Sequence, residues 1–242
     1  MIFNFLKQKP TLKEIIPDGF VDIHSHIIPG IDDGAKNIEE SLIILDEIEK
    51  LKFKKIIATP HIYPGIYNNS KKTIVNSYRN LISSYSGNIE IKFAAEYILD
   101  NYMIKEADKK NLMCINDNYV LVEMSYISAP INLYNILFSI VTNGYIPILA
   151  HPERYRYFFD NIAEFIKLKK IGCLFQLNIL SILGYYGDDI AKFSDKMLNK
   201  DLFDFVGTDI HNINHTRLMN KKVVINNLAK FKKLIKNNNN KF

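Results

Sequence analysis

The run Phe20-Val21-Asp22-Ile23-His24-Ser25-His26 is short and β-rich, and it ends in two histidines two residues apart. Side chains alternate sides along an extended strand, so His24 and His26 face one way while Ile23 and Ser25 face the other. Six more β-rich runs follow, at 55–59, 89–94, 119–123, 146–150, 173–177 and 203–207. Stretches with helical periodicity lie between them. The clearest places Ile38, Leu42, Leu45 and Ile48 on one face, with Glu39, Glu40, Asp46 and Glu49 largely off it. Others run over 73–84, 133–142, 161–169 and 188–199.

Mostly apolar strands alternating with helices predict a parallel sheet covered by helices, and hence an α/β fold. Periodicity alone fits an open doubly wound sheet and a closed barrel equally. No Gly-x-Gly-x-x-Gly follows the first strand, which removes a dinucleotide fingerprint. A chain of 242 residues without a repeat or long linker is expected to form one domain over 1–242. Its lead (1–18) is short, and its Lys- and Asn-rich tail (236–242) is expected to fray in solvent.

Composition narrows the class further. With 48% hydrophobic and 24% charged residues the chain reads as globular rather than disordered. Its longest apolar runs, such as 146–150, are far too short to span a bilayer, so no membrane insertion is expected. Residues 1–13 alternate lysines with short apolar pieces and lack a signal-peptide core, which makes a cytoplasmic location the default expectation. Cys114 and Cys173 have no metal-like spacing and read as buried, reduced thiols. The net charge of +5 is scattered or concentrated in the tail, so stable nucleic-acid binding is not expected.

Chemistry collects at the strand ends. Five of the six histidines, His24, His26, His61, His151 and His211, stand at or just after the C-terminal end of an expected strand, as do Glu96, Glu123 and Asp209. In a parallel barrel that rim is where catalytic groups gather. Asp209 and His211 repeat the i, i+2 spacing of His24 and His26. Taken singly, His61 is equally a hydrogen-bonded structural residue, and Asp33 in Ile31-Asp32-Asp33-Gly34 equally an Asx turn. Two chelating pairs together with several other strand-end ligands are hard to assign to chance. If Asp33, Glu96, Glu123 and Asp209 converge, each uncompensated buried charge costs on the order of several kcal/mol, and bound cations are the natural remedy. Imidazole and carboxylate ligands without cysteine suit manganese, iron or zinc. Three divalent ions against four carboxylates leave a positive site suited to a phosphate dianion, with a metal-bound water as nucleophile. Arg154, three residues after His151, can hold phosphate oxygens through its fork of donors, and is otherwise a surface arginine. Arg217 is a second candidate, equally readable as a helix-surface residue.

The segment from Asp22 to Ala35, Asp-Ile-His-Ser-His-Ile-Ile-Pro-Gly-Ile-Asp-Asp-Gly-Ala, resembles the opening motif of the PHP (polymerase and histidinol phosphatase) family. Within that family it is most similar to the bacterial protein-tyrosine phosphatases of capsule and exopolysaccharide systems. The likeness continues through Thr59-Pro60-His61, Ala95-Glu96, Val122-Glu123-Met124, Ala150-His151-Pro152-Glu153-Arg154-Tyr155, Phe175-Gln176-Leu177-Asn178 and Gly207-Thr208-Asp209-Ile210-His211-Asn212, covering about residues 18 to 230.

The resemblance implies a distorted, TIM-like β/α barrel of about seven strands with a site for three metal ions, usually manganese. The ligands it implies are His24, His26, Asp33, His61, Glu96, Glu123, His151, Asp209 and His211. Arg154 matches the family's phosphate-binding arginine. At the place of the second family arginine this chain has Thr216, with Arg217 one residue further on. The implied reaction is hydrolysis of phosphotyrosine by metal-bound hydroxide, with Asp209 or a histidine as candidate acid. The implied substrate is a tyrosine autokinase of polysaccharide export. A cysteine-type phosphatase needs Arg six residues after its Cys, and Val120 and Ile179 stand there instead. The rivals are a small-molecule phosphatase of the histidinol-phosphate type, a PHP-type nuclease and a catalytically silent binding domain.

Overall fold

A computed structural model describes residues 8–242, so residues 1–7 of the expected lead lie outside the described residues. The chain runs α1 (Leu12–Ile15), β1 (Val21–Asp22), α2 (Ile38–Lys50), β2 (Lys55–Ala58), β3 (His61–Ile62), α3 (Lys71–Ser84), β4 (Glu90–Phe93), β5 (Glu96–Ile98) and α4 (Asn101–Asp108). It continues β6 (Tyr119–Glu123), α5 (Leu133–Thr142), β7 (Ile146–Ala150), α6 (Ile162–Lys170), β8 (Leu174–Asn178), α7 (Asp188–Asn199), β9 (Phe205–Gly207), α8 (Ile213–Arg217) and α9 (Leu228–Lys241). Local chemistry sets the helix starts: Asn37, Ser70 and Asp100 each accept a backbone N–H of the first turn of α2, α3 and α4.

Every strand pairing is parallel, as the alternation predicts, in two sheets ordered β1-β2-β4 and β3-β5-β6-β7-β8-β9. Among the described residues nine strands replace the expected seven. The extra two, β3 and β5, continue β2 and β4 past kinks at Thr59-Pro60 and Ala94-Ala95, where the chain steps from the first sheet into the second. Pro60 has no N–H to offer a ladder, but its carbonyl accepts the Glu96 N–H at 3.1 Å. Hydrophobic side chains alternate between two clusters: Leu121 belongs to one and its neighbours Val120 and Val122 to the other, and Ile57 and Ile56 divide in the same way. On β6 the side that carries Tyr119 and Leu121 ends in Glu123.

Where β1 approaches β9 there is no continuous ladder. A single parallel bridge pairs Ser25 with Ile210, the His26 N–H donates to the Ile210 carbonyl and the Asp209 N–H to the His24 carbonyl, both at 2.8 Å. Deeper in this seam the buried Asp22 carboxylate accepts from both the backbone and the hydroxyl of Thr208. The gap below is filled by the C-terminal helix. Asn238, fully buried, donates to the carbonyls of Val21 (3.0 Å) and Val206 (2.7 Å) and accepts the Val206 N–H (3.1 Å), while Asn239 accepts the Val21 N–H (3.0 Å). The tail therefore does not fray as expected. Its asparagines mimic peptide groups and substitute for the missing strand pairing, and Phe242 packs edge-on against Tyr119 and Phe205.

Removing the Asn238 amide leaves three buried backbone groups unpaired, each costing ~1–3 kcal/mol. Asn238→Ala is expected to destabilise the protein by at least about 3 kcal/mol in urea unfolding. Asn240→Ala, at an exposed site on the same helix, should stay within about 0.5 kcal/mol of the parent.

Candidate metal centre

The kinks, turns and seam of this fold bring the strand-end side chains together. The step from β2 to β3 sets His61 opposite Glu96 in register on β5. His151 and Asp209 follow β7 and β9 with left-handed backbones (φ 38° and 54°), a conformation that non-glycine residues seldom take. Two glycines allow close approach. A Cβ on Gly34 would lie 2.0 Å from the His26 carbonyl oxygen, and one on Gly207 would lie 2.7 Å from the His24 Cβ. Gly34 thus lets the loop carrying Asp32 and Asp33 close over His26.

All nine ligands expected from the sequence converge. Their donor atoms fall into four overlapping groups: His24, His26 and Glu96; His24, His151 and Asp209; His61, Glu96 and Glu123; and His26, Asp33, His61 and His211. The tightest convergence has His24 Nε2 3.1 Å from His26 Nε2 and 3.2 Å from both Glu96 Oε2 and Asp209 Oδ1. His26 Nε2 lies 3.4 Å from the same two oxygens. His61 Nδ1 is 2.9 Å from Glu123 Oε1 and 3.3 Å from Glu96 Oε2, and Asp33 Oδ1 sits 3.4 Å from His61 Nε2 and 3.5 Å from His211 Nε2.

These residues fit a metal site. Donors that each meet a cation at ~2.1 Å sit about 3.0 to 3.4 Å from one another around it. His61 Nδ1 is buried without a hydrogen-bond partner although Glu123 Oε1 and Glu96 Oε2 lie 2.9 and 3.3 Å away, and Glu96 Oε1 is likewise unpartnered although His151 Nε2 lies 3.3 Å away, so these atoms are close to their neighbours without being aimed at them. Outer partners fix the imidazoles. His24 Nδ1 meets Gln176 Oε1 at 2.8 Å, His26 Nδ1 meets Asp32 Oδ2 at 2.9 Å, and His211 Nδ1 meets the Asp209 carbonyl at 2.8 Å. Each partner is an acceptor, so the proton belongs on Nδ1 and the Nε2 lone pair faces the centre, as in protein metal sites.

A cavity of about 510 Å³ opens onto this cluster. Asp33, His61, Glu123, His151, Asp209 and His211 reach its wall, while His24, His26 and Glu96 are fully buried. Arg154 also lines it. Its Nη1 lies 3.1 Å from Asp209 Oδ2, and its guanidinium is held between the rings of Tyr126 (4.5 Å) and Tyr186 (4.0 Å).

Arg217, the second expected arginine, is not brought to the cavity. It is exposed at the end of α8 and hydrogen-bonds Asn214, because the one-residue displacement from position 216 turns it to the outer side of the helix; Thr216 is buried. His215 lines the cavity instead, accepting the His211 N–H on Nδ1 and meeting the Tyr185 hydroxyl at 3.2 Å. Sequence reading missed Asp32, Gln176 and Asn178, whose Nδ2 donates to Asp209 at 2.7 Å. A signal for two of them was present, since Gln176 and Asn178 are alternate polar residues in an otherwise apolar strand. Glu153 was also missed; its buried carboxylate accepts from Ser181 and from the Asn178 N–H and so anchors the end of β8.

Comparisons with known proteins give the family. A family model described as capsular polysaccharide synthesis, CpsB/CapC, matches residues 20–234. The chain belongs to the CpsB/CapC family. It is 30% identical over 207 residues to a putative tyrosine-protein phosphatase CapC of Staphylococcus aureus, spanning 84% of this chain and 81% of that one. It is also 30% identical over 205 residues to the tyrosine-protein phosphatase CpsB of Streptococcus pneumoniae, spanning 80% and 83%. Among solved structures it is similar, with a TM-score of 0.72 and 27% identity over 82% of this chain and 84% of that one, to a chain from a study of YwqE of Bacillus subtilis and CpsB of Streptococcus pneumoniae, described as metal-dependent tyrosine phosphatases. An amidohydrolase of Mycoplasma synoviae (TM-score 0.50, 14% identity, 97% of this chain and 92% of that one) shares the fold.

Without a cation, the cluster holds protons. Burial works against a charged His26, but Asp32, Asp209 and Glu96 outweigh it and raise its pKa well above the usual imidazole value. His61 is pushed up to about 10 in the same way, with burial and His26 opposed by Asp33, Glu123 and Glu96. Glu96 and Asp209 are held well below the carboxylate range, because the surrounding histidines overcome burial. Raised imidazole pKa values keep these protons in place at neutral pH and release them only as pH climbs, so a cation must displace them. Titrating manganese into metal-free protein at about pH 7 should release protons, seen as a dependence of the calorimetric heat on buffer ionisation enthalpy. Affinity should rise from about pH 6 to 8, and binding without proton release would contradict this electrostatic picture.

Proposed function

We propose that this chain is a metal-dependent protein-tyrosine phosphatase, using His24, His26, Asp33, His61, Glu96, Glu123, His151, Asp209 and His211 to hold divalent cations. The observation that carries the reading is the convergence of these nine side chains on one cavity with a single arginine, Arg154, reaching the same wall. Three cations are proposed, with manganese favoured over iron or zinc by the oxygen-rich ligand share. The tyrosine-phosphatase names of its family relatives support the choice of substrate.

Bound cations would compensate the carboxylates and supply a water acidic enough to attack phosphorus. The remaining steps fall to the chain. Arg154, clamped between two tyrosine rings, points fixed donors at the phosphoryl oxygens, where charge grows in the transition state. Its contact with Asp209 keeps the fork aimed while no substrate is bound. A phenolate leaves with a pKa of about 10, so the demand on an acid is small; of the two candidates, Asp209 is held ionised by the surrounding histidines, which leaves a histidine of the wall as the proposed source of the proton. The proposed substrate is a tyrosine autokinase of polysaccharide export, met in the cytoplasm. No helix among the described residues is long and apolar enough to cross a membrane.

The manganese-loaded protein is expected to turn over a phosphotyrosine peptide faster than histidinol phosphate, and the reverse order would replace this reading with the small-molecule one. Chelation or His24→Ala should abolish turnover. Arg154→Ala should lower kcat/KM by about 10²- to 10³-fold. Arg217→Ala should change it by less than about twofold, consistent with an ordinary surface substitution.

A further inference from the structure

Above the ligands, the cavity wall changes character. Tyr63, Ile66, Tyr67, Tyr126, Tyr185 and Tyr186 also line it, and none of them belongs to the ligand groups. One element of this collar is held by several cross-links. The turn from Tyr63 to Tyr67 is closed by reciprocal backbone hydrogen bonds, Tyr67 N–H to Tyr63 O at 2.8 Å and Tyr63 N–H to Tyr67 O at 3.0 Å. Asn68 Oδ1 accepts the Gly65 N–H, where φ is +89°, and Asn69 Nδ2 donates to the carbonyls of both Ile31 and His61. Tyr67 lies flat against His61, with ring centroids 5.2 Å apart at 11°. The turn is thus pinned to the loop and strand that carry Asp33 and His61. At its tip Ile66 is held 60% exposed at the cavity mouth. A fixed, exposed isoleucine beside a phosphate-type site makes a preorganised apolar contact whose ordering cost is met before any ligand arrives.

Resting on the phosphatase reading, we propose that this turn is the aryl-recognition element of the site: Ile66 and Tyr67 form the wall against which the ring of phosphotyrosine packs. Depth supports it. The innermost ligands are fully buried and Ile66 stands at the rim, so a phosphate among the ligands leaves its ester substituent inside the collar. A phenyl ring fills that collar with apolar surface and carries the peptide backbone out to solvent. A serine ester, with one methylene, would draw the polar backbone down among the aromatic side chains, where its hydrogen bonds go unmet. The collar therefore sorts phosphate esters by what is attached to the oxygen, while the ligands and Arg154 bind the phosphate common to all of them.

The test separates ring from phosphate and does not depend on turnover. Binding of phenylphosphonate and of methylphosphonate to the manganese-loaded full chain is measured by calorimetry for the parent, Ile66→Ser and Ile66→Leu. The parent should bind the phenyl compound about tenfold more tightly, Ile66→Ser should reduce that ratio to about threefold or less with methylphosphonate unchanged, and Ile66→Leu should restore it. A ratio near one in the parent, or a ratio unmoved by Ile66→Ser, overturns the assignment. Phosphotyrosine-peptide turnover by the parent is measured alongside. Its absence with an intact phenyl preference would count against the phosphatase reading and leave aryl recognition standing, whereas turnover without that preference would do the opposite.

Discussion

Holding His24 Nε2 and His26 Nε2 3.1 Å apart in a fully buried position, beside two carboxylates, is the constraint on which the rest of the molecule turns. Like lone pairs and like charges do not gather in a protein interior unaided. Each imidazole must be gripped from behind, and the fold assigns a different element to each grip: β8 supplies Gln176 for His24, the loop before α2 supplies Asp32 for His26, and the backbone at Asp209 serves His211. Removing any one of these acceptors would free a ring to rotate and leave its lone pair aimed elsewhere. The cluster is therefore a product of the whole fold rather than of one motif.

The same constraint accounts for the seam. His24 and Asp209 must sit side by side, so β1 and β9 must approach, yet their regular strands span only Val21–Asp22 and Phe205–Gly207. A full ladder would fix the pleat through the very residues that need to turn inward. The chain instead uses one bridge, the Asp22–Thr208 contacts and the amides of Asn238 and Asn239, leaving Asp209 free to take its left-handed backbone. The C-terminal helix thereby acts on the cluster at a distance, by holding together the two strands that deliver His24 and Asp209 to it.

Much of this was legible in the residues. The parallel α/β class followed from apolar strands alternating with amphipathic helices, and the i, i+2 spacing of His24 and His26 already required a common side. What escaped was information carried by context rather than pattern. Pro60 interrupts a strand, but nothing in the local sequence says that the chain resumes at the very next residue in a second sheet, with His61 beside Glu96. Lys236 to Lys241 has the composition of a solvated end, and only the gap between β1 and β9 gives Asn238 a reason to be buried. Arg217 stands one residue past the place of the family's second arginine, and on a short helix that shift is enough to turn it outward. Asp32 was hidden by its neighbour: both aspartates serve the site, Asp33 toward the cavity and Asp32 behind His26.

Arg154 shows how the inner and outer halves of the site depend on one another. A guanidinium close to several would-be cations is repelled by them, and its single close carboxylate, Asp209, is itself a candidate ligand. Stacking between Tyr126 and Tyr186 offsets part of that repulsion, since the faces of both rings carry negative potential, and it fixes the plane of the fork. A lysine could not be held this way, because its point charge has no plane to stack and no paired donors to aim. The tyrosines at the mouth thus have two duties. Tyr126 and Tyr186 keep a cation where electrostatics alone would expel it, and the remainder of the collar presents apolar surface to whatever the phosphate carries. With the proposed cations bound, the floor beneath this aromatic wall would be positive, the combination that a doubly charged group on a phenyl ring requires.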